Sequence, residues 1–535
     1  MRKYLPLFLM ILVNSNLSPA HGLPIDLASQ LDSICEARVS DRQETPGLAL
    51  VLTAGDQRFI ASCGAADMAS AEPVMDTTSF FAASLTKQFV ALEVLLLADA
   101  GQIDLDAPIA DYLPGFSPNA SPSVRQLMQH SSGLYEHWYQ WRLSDAPGET
   151  LADILALAAT QDEREFTPGT RMVYTNLNYV LLAGLIEVVT GSDAAIAIQR
   201  DILDPLGMHH SGFAHIDAAR TEDRAAGHVG ESGNRQRLDH PVSSIIGDGG
   251  LYLSAQDMAA WLSAFDGRQF GPMLQARAQQ RDDINGDPMG YGAGLHVGHL
   301  NGELALHHGG GSRGASAWMA YLPDQRIGVA VFANAEVDTM GIASAVLIAA
   351  LGEANLAPVP VSGIVTPPSD QRYFVARLND TPLLLELTWD EDGTLLMGAS
   401  GSTMRPYTTT DNRIYLRQEN PIIEFSALSN GDARLSVSGQ FYAGFQAVQP
   451  SGDMTASPAG RWASAALPGA IWIISENGDG ISVTGPRFEA AELSPVADNV
   501  YFLEAAGVFV VQTSATTLRF VSEDTGAITL HRRMN

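Results

Sequence analysis

A single lysine constrains this chain more than any other feature. Of its 31 lysine and arginine residues, only Lys3 and Lys87 are lysines. Lys3 falls in a short basic, then apolar, N-terminal stretch that reads as a leader. Lys87 stands three residues after Ser84, in Ser84-Leu85-Thr86-Lys87. The run from Gln88 to Ala100 is almost all apolar and stops at Gly101, which predicts a helix enclosed on every side. Three apart on its first turn, Ser84 and Lys87 share a face. A serine hydroxyl becomes a useful nucleophile once a base takes its proton. An amine can be that base if burial lowers its pKa from about 10.4 toward 7, a differential of roughly 4–5 kcal/mol. Arginine cannot release its proton in a protein. A chain that uses arginine elsewhere and keeps lysine here therefore points to a titratable amine. The plainer reading makes Ser84 a helix N-cap and the arginine excess a matter of codon usage.

At 535 residues the chain has room for about three ordinary domains. Its composition, 46% hydrophobic and 17% charged, is that of a globular protein. Residues 1–20 read as a secretory leader cut after Ala20, which implies a periplasmic or secreted protein. The apolar run Leu5 to Val13 is too short to span a bilayer, and no cysteine beside the cut suggests a lipid anchor. A formal net charge of −29 disfavours nucleic acid and anionic membrane as partners. Cys35 and Cys63 are the only cysteines. One disulfide and two separate buried thiols are both open readings.

Along the chain, Asp26 to Ser40 predicts an amphipathic helix. Gly47 to Leu52 and Arg58 to Ala61 predict a hairpin. Asp104 to about Asp239 reads as a turn-rich helical insertion. Strands return at Tyr291 to Val297, Leu304 to His307, Ala315 to Tyr321 and Ile327 to Ala333, before a helix from Met340 to Leu351. A sheet assembled from both ends of residues 21–355 follows. Residues 356–370, rich in proline, read as a linker. Beyond it, residues 371–450 and 457–535 look like two copies of one pattern of short strands with Asp-Gly turns and a central tyrosine (Tyr415, Tyr501). That spacing suggests two antiparallel β-barrels.

Two further motifs carry chemistry. In Tyr174-Thr175-Asn176, the phenol and the amide, two apart, can point the same way; a packed tyrosine in an ordinary turn is the plainer alternative. In His308-Gly309-Gly310-Gly311, the glycines let a substrate backbone come close and free N–H groups can hold an oxyanion; a flexible hairpin is the plainer alternative. Ser-x-x-Lys, Tyr-x-Asn and His-x-Gly in this order resemble the serine hydrolases of the penicillin-recognising superfamily, which includes class C β-lactamases, DD-peptidases, esterases and D-aminopeptidases. The likeness extends to Leu127-Met128-Gln129-His130-Ser131-Ser132-Gly133-Leu134, Pro205-Leu206-Gly207-Met208 and Gly249-Gly250-Leu251, and covers about residues 45–351. With its tail, the layout is most similar to that of D-stereospecific aminopeptidases.

The resemblance implies an α+β fold, a β-lactamase/transpeptidase-like α/β/α sandwich of antiparallel sheet plus helical insertion. It makes Ser84 the acylated nucleophile, with Lys87 and Tyr174 sharing acid and base work. Asn176, His308, Gly310 and Gly311 would meet substrate, and the N–H groups of Ser84 and Gly311 would form the oxyanion hole. His308 falls where lactamases carry a lysine that helps hold a carboxylate. This argues against a true β-lactamase or carboxypeptidase and for neutral or amine-bearing substrates. No metal or organic cofactor is implied. The expected partner is a small linear peptide, with D- or non-protein residues such as those of ring-opened microcystin, or a short ester. Pairing as a homodimer is left open. His137 to Trp141 is a candidate aromatic lining. Gly310-Gly311-Ser312-Arg313-Gly314 matches the Gly-x-Ser-x-Gly elbow of α/β-hydrolases, which needs a helix after it; the strand-like Ala315 to Tyr321 argues against that. His209, His210, His130 and His137 lack the spacing of a zinc site. A sensor that acylates without turnover remains a further reading of the same scaffold.

Overall fold

The computed structural model describes residues 23–352 apart from short loop stretches, the longest of them 138–149, and beyond residue 372 chiefly the strands; between 373 and 448 only their backbone is described. The leader 1–20, the linker 356–370 and Trp138 to Trp141 lie outside the described residues.

An antiparallel sheet of eight strands forms the centre of the first part. Its order is Tyr291–Gly292, Leu295–Leu300, Glu303–Ser312, Ala315–Leu322, Ile327–Ala333, Gly47–Ala54, Gln57–Asp67 and Glu72–Pro73. The N-terminal hairpin thus pairs directly with the last strand of the C-terminal group, with Leu50 opposite Val331. Alternation sorts the side chains to two faces. Leu48, Leu50, Leu52, Val329 and Val331 share one apolar cluster with residues of the helices Leu27–Glu36 and Thr339–Leu351. Ala49, Val51, Ala330 and Phe332 join the opposite cluster, with the helices Thr86–Asp99, Asn176–Thr190 and Ala255–Ala264. The result is helix, sheet, helix. Cys35 and Cys63 form a disulfide, which ties the helix Leu27–Glu36 to the strand Gln57–Asp67 and decides between the two readings of the sequence.

The helix Thr86–Asp99 is packed on all sides, as its sequence predicts; Phe89, Val90, Leu92 and Val94 are all fully buried. Among the described residues, 104–239 include four α-helices, two of them opened by reciprocal capping boxes, Ser123 with Gln126 and Thr150 with Asp153; such caps satisfy orphan N–H groups at both sites. The insertion also contributes short strands at Gly212–Phe213, Gly227–Val229 and Gln236–Leu238.

Beyond residue 372 lie two nine-stranded antiparallel sheets, one over Tyr373–Val448 and one over Gly460–Arg532. In each, the first and last strands of the segment pair side by side at the centre of the order. Among the described residues no ladder joins the outermost strands, so the two sheets are established and closed barrels are not.

Candidate active site

Ser84 is set by a short strained turn. Residues Ala83–Leu85 form one turn of 3-10 helix that runs into Thr86–Asp99. Ala83 has φ 45°, a left-handed conformation that costs a non-glycine residue free energy and persists where the surroundings enforce it. Those surroundings are specific. Ala82 N–H donates to Leu251 O (2.9 Å), Thr86 Oγ1 donates to Ala83 O (2.7 Å), and Leu251 N–H donates to Thr86 Oγ1 (3.3 Å). On the other side, a Cβ on Gly310 would lie 2.3 Å from Ala82 O, whereas one on Gly311 would meet nothing within 4 Å. Gly310 is the close-approach residue, and a side chain at Gly311 would meet open space.

Lys87 is fully buried. Its Nζ lies 3.0 Å from Ser84 Oγ, 2.8 Å from Asn176 Oδ1 and 2.9 Å from the Asp248 carbonyl oxygen. Three acceptors match the three protons of an ammonium. They also suit the neutral amine: it can donate to Asn176 and Asp248, which only accept, and turn its lone pair to the Ser84 hydroxyl. Both protonation states are thus satisfied. Burial lowers the Lys87 pKa to about 8, against the opposing pull of the Asp248 and Glu136 carboxylates. Near neutrality the pocket holds a usable share of free amine.

Tyr174 closes the other side. Its ring centroid lies 5.0 Å from Lys87 Nζ. Burial pushes the phenol well above its ordinary pKa, against the opposing influence of the nearby Ser84 hydroxyl. Tyr174 therefore stays a neutral O–H, able to relay a proton rather than to hold a phenolate. His130 stacks on it, with centroids 4.2 Å apart.

His308 is almost fully buried, 2% exposed. Its Nδ1 lies 2.6 Å from Gly309 O and its Nε2 2.9 Å from the Tyr291 hydroxyl. A carbonyl only accepts, so Nδ1 carries the proton and Tyr291 donates to Nε2. Burial and the nearby Lys87 amine push its pKa down to about 3. His307 falls to about 4 through burial, and His130 and His296 are lowered well below the ordinary value for the same first reason. The side of the pocket formed by His130, His296, His308 and Tyr174 is thus neutral imidazole and phenol.

A match to the family model described as Beta-lactamase spans residues 34–353. The chain belongs to the β-lactamase family. Among relatives within and around that family, a D-aminopeptidase of Gluconobacter oxydans is 31% identical over 315 residues, 57% of this chain and 59% of its own length. Another from Cereibacter sphaeroides is 29% identical over 57% of this chain and 60% of its own. The chain therefore spans about 60% of the length of these curated relatives. A penicillin-binding protein homologue from Pyrococcus abyssi matches in structure with TM-score 0.56 at 23% identity, over 79% of this chain and 99% of that one. D-amino acid amidase from Ochrobactrum anthropi SV3 matches with TM-score 0.52 at 22% identity, over 61% and 98%. At these identities the two structures speak for the β-lactamase fold alone.

Several residues of this β-lactamase-family site escaped the sequence reading. Glu136 and Asp248 stand beside quoted motifs, just after Gly133-Leu134 and just before Gly249-Gly250, but neither was singled out. Asp248 acts through its carbonyl, which any residue there would supply. The sequence marks Tyr291 only as part of a strand, and its contact with His308 is visible in the structure alone. The alternatives also resolve. Ser312 ends the strand Glu303–Ser312 and turns directly into Ala315–Leu322, so the Gly-x-Ser-x-Gly match lies in a β-hairpin without the helix an elbow needs. Among the described residues, no three His, Cys, Asp or Glu side chains gather as a metal site would require.

Proposed function

We propose that this protein is a serine amidohydrolase that cleaves amide bonds of small peptides or amino-acid amides through an acyl-enzyme on Ser84. The observation that carries the reading is the 3.0 Å contact between a fully buried Lys87 amine and the Ser84 hydroxyl. Lys87 Nζ takes the hydroxyl proton as Ser84 Oγ bonds to the substrate carbonyl carbon. The oxyanion that forms accepts from the N–H groups of Ser84 and Gly311. The C–N bond breaks as the proton passes from Lys87, by way of the Tyr174 hydroxyl, to the leaving amine. Water then adds to the acyl carbon, gives a proton back along the same path, and Ser84 Oγ leaves with it. Asn176 keeps the amine in place and His308 keeps the wall uncharged. A neutral wall suits substrates without a carboxylate at that point, in line with the D-aminopeptidase relatives.

D-aminoacyl amides are the first substrates to try. Linear peptides with D- or non-protein residues, ring-opened microcystin among them, come next, and short acyl esters are the accompanying activity. Residues 1–20 we take as a secretory leader, and the Cys35–Cys63 disulfide suits an oxidising compartment. The two C-terminal sheets we take as barrels. Met404 and Tyr407 belong to opposite edges of the first sheet, and Glu492 and Ser494 to opposite edges of the second. So short a connection reaches roughly 10 Å at most, which supports the reading that each sheet curls. The test is a panel of D- and L-aminoacyl anilides, linear peptides, short esters and nitrocefin, with products identified by mass spectrometry. Turnover of aminoacyl amides that vanishes in Ser84→Ala is expected; turnover that survives Ser84→Ala, or is confined to nitrocefin, contradicts the reading.

A further inference from the structure

The segment Tyr135-Glu136-His137 bridges parts of the molecule that the reaction scheme leaves separate. Glu136 and His137 are both buried, with side chains 2% and 3% exposed. His137 Nδ1 lies 2.6 Å from Glu136 Oε1. The other oxygen, Oε2, accepts from the backbone N–H of Asn176 (2.6 Å) and from Thr175 Oγ1 (3.2 Å). Those two residues open the helix Asn176–Thr190. A helix start leaves N–H groups without intrahelical partners, and the N-cap side chain ordinarily takes one. Thr175 stands at the N-cap but makes no capping bond; its hydroxyl donates to Glu136 instead. A carboxylate from another part of the chain thus caps this helix, at the end where negative charge is favoured. The residue it holds is the same Asn176 whose Oδ1 lies 2.8 Å from Lys87 Nζ. Tyr135, next in line, is 3% exposed and belongs to the apolar cluster of the last sheet, with Trp462, Trp472 and Tyr501.

We propose that Glu136, braced by His137 and anchored through Tyr135 in the C-terminal sheet, is a positioning residue that holds Tyr174-Thr175-Asn176 against Lys87. This rests on the amidohydrolase reading above. Its carboxylate also bears on the Lys87 amine, whose charged form it favours alongside Asp248. Burial works against the charge on Glu136, but the His137 imidazole and the hydrogen bonds prevail and hold its pKa below the ordinary value. Burial likewise opposes protonation of His137, and the Glu136 carboxylate overcomes it. Among the described residues, the other titratable groups around Lys87 are His130, His296, His308, Tyr174 and Tyr179. They stay neutral, so the Glu136–His137 pair and Asp248 are the charges that set its field.

The test uses the full-length chain and a D-aminoacyl anilide, with kcat and KM followed over pH 6–10. In Glu136→Gln, kcat should fall roughly 10- to 100-fold, the scale of a slightly misplaced reacting group, with KM within about 3-fold of the parent. Lys87 works as the neutral amine, so its pKa sets the acid limb. Removing the carboxylate should move that limb to lower pH. His137→Gln leaves the carboxylate without its counter-charge and should move the limb to higher pH. Opposite movements are what a merely structural support would not produce. An unchanged kcat in Glu136→Gln overturns the proposal. So does an unmoved limb in His137→Gln, even where the Glu136 variant fails to fold. Ser84→Ala, run alongside, separates the two claims: activity surviving there removes the nucleophile reading, whatever the Glu136 variants do.

Discussion

Lys87 and Glu93 lie less than two turns apart on the helix Thr86–Asp99, and both side chains are fully buried. Burial drives both toward neutrality, the lysine down to about 8 and the glutamate up to about 7. They differ in what surrounds them. Lys87 meets three oxygens, one of them the hydroxyl it can deprotonate. Glu93 faces a second acid, Asp201, with Arg200 near by. Desolvation alone therefore makes a titratable group. A reacting partner on one side and fixed acceptors on the others make it a base. The search for function in a buried charge has to ask what it touches before asking how far it is shifted.

The contrast can be broken at the Lys87 end most dramatically. Lys87→Arg keeps a cation but removes the ability to let a proton go. It should lower kcat/KM by about 10³-fold or more, the scale of losing an activating base, measured on the best substrate of the panel. If the arginine protein retains turnover, Lys87 and Glu93 are equivalent buried charges and the distinction fails. A smaller effect is expected from the support behind the sheet. Replacing Cys35 and Cys63 by alanine opens a loop with a sequence separation of 28 and should cost about 2–4 kcal/mol by denaturant unfolding. The turnover of the folded fraction should stay intact, because the disulfide lies on the face away from Lys87. The smallest effect belongs to Glu93. Its pKa is raised in the folded state, so folding is penalised once the unfolded carboxylate ionises, from about pH 4.5, and fully so above about 7. Glu93→Gln should be about 1–2 kcal/mol more stable than the parent at pH 8, with the gap closing toward pH 4.5, and equally active. Loss of activity in Glu93→Gln would draw this residue into the chemistry and blur the comparison.

The four residues that meet at the candidate site were legible because their spacings are local: Ser84 and Lys87 on one helical turn, Tyr174 and Asn176 in one tripeptide. The runs Gly47 to Leu52 and Arg58 to Ala61 likewise foretold the hairpin that the structure forms. What stayed hidden depends on contacts between distant stretches. The helix Asn176–Thr190 opens inside the Tyr174-Thr175-Asn176 motif, where Glu136, forty positions earlier, receives its first N–H. His308 is neutral and held at both ring nitrogens because Tyr291 and Gly309 sit beside it, a fact the motif alone does not contain. Cys35 and Cys63 could not be paired until the helix and strand that carry them were seen to pack. In the tail, repetition was visible in the Asp-Gly turns, but the pairing of first with last strand in each sheet leaves no periodic mark.

The rate at which a fluorophosphonate labels Ser84, followed by intact-protein mass spectrometry from pH 6 to 10, puts the question of the base directly. If the free amine of Lys87 draws off the hydroxyl proton, labelling should climb about tenfold per pH unit and level off near pH 8, on Ser84 alone, and be abolished in Lys87→Arg. Labelling that is flat across this range, that persists in the arginine protein, or that lands on Ser312 would contradict it.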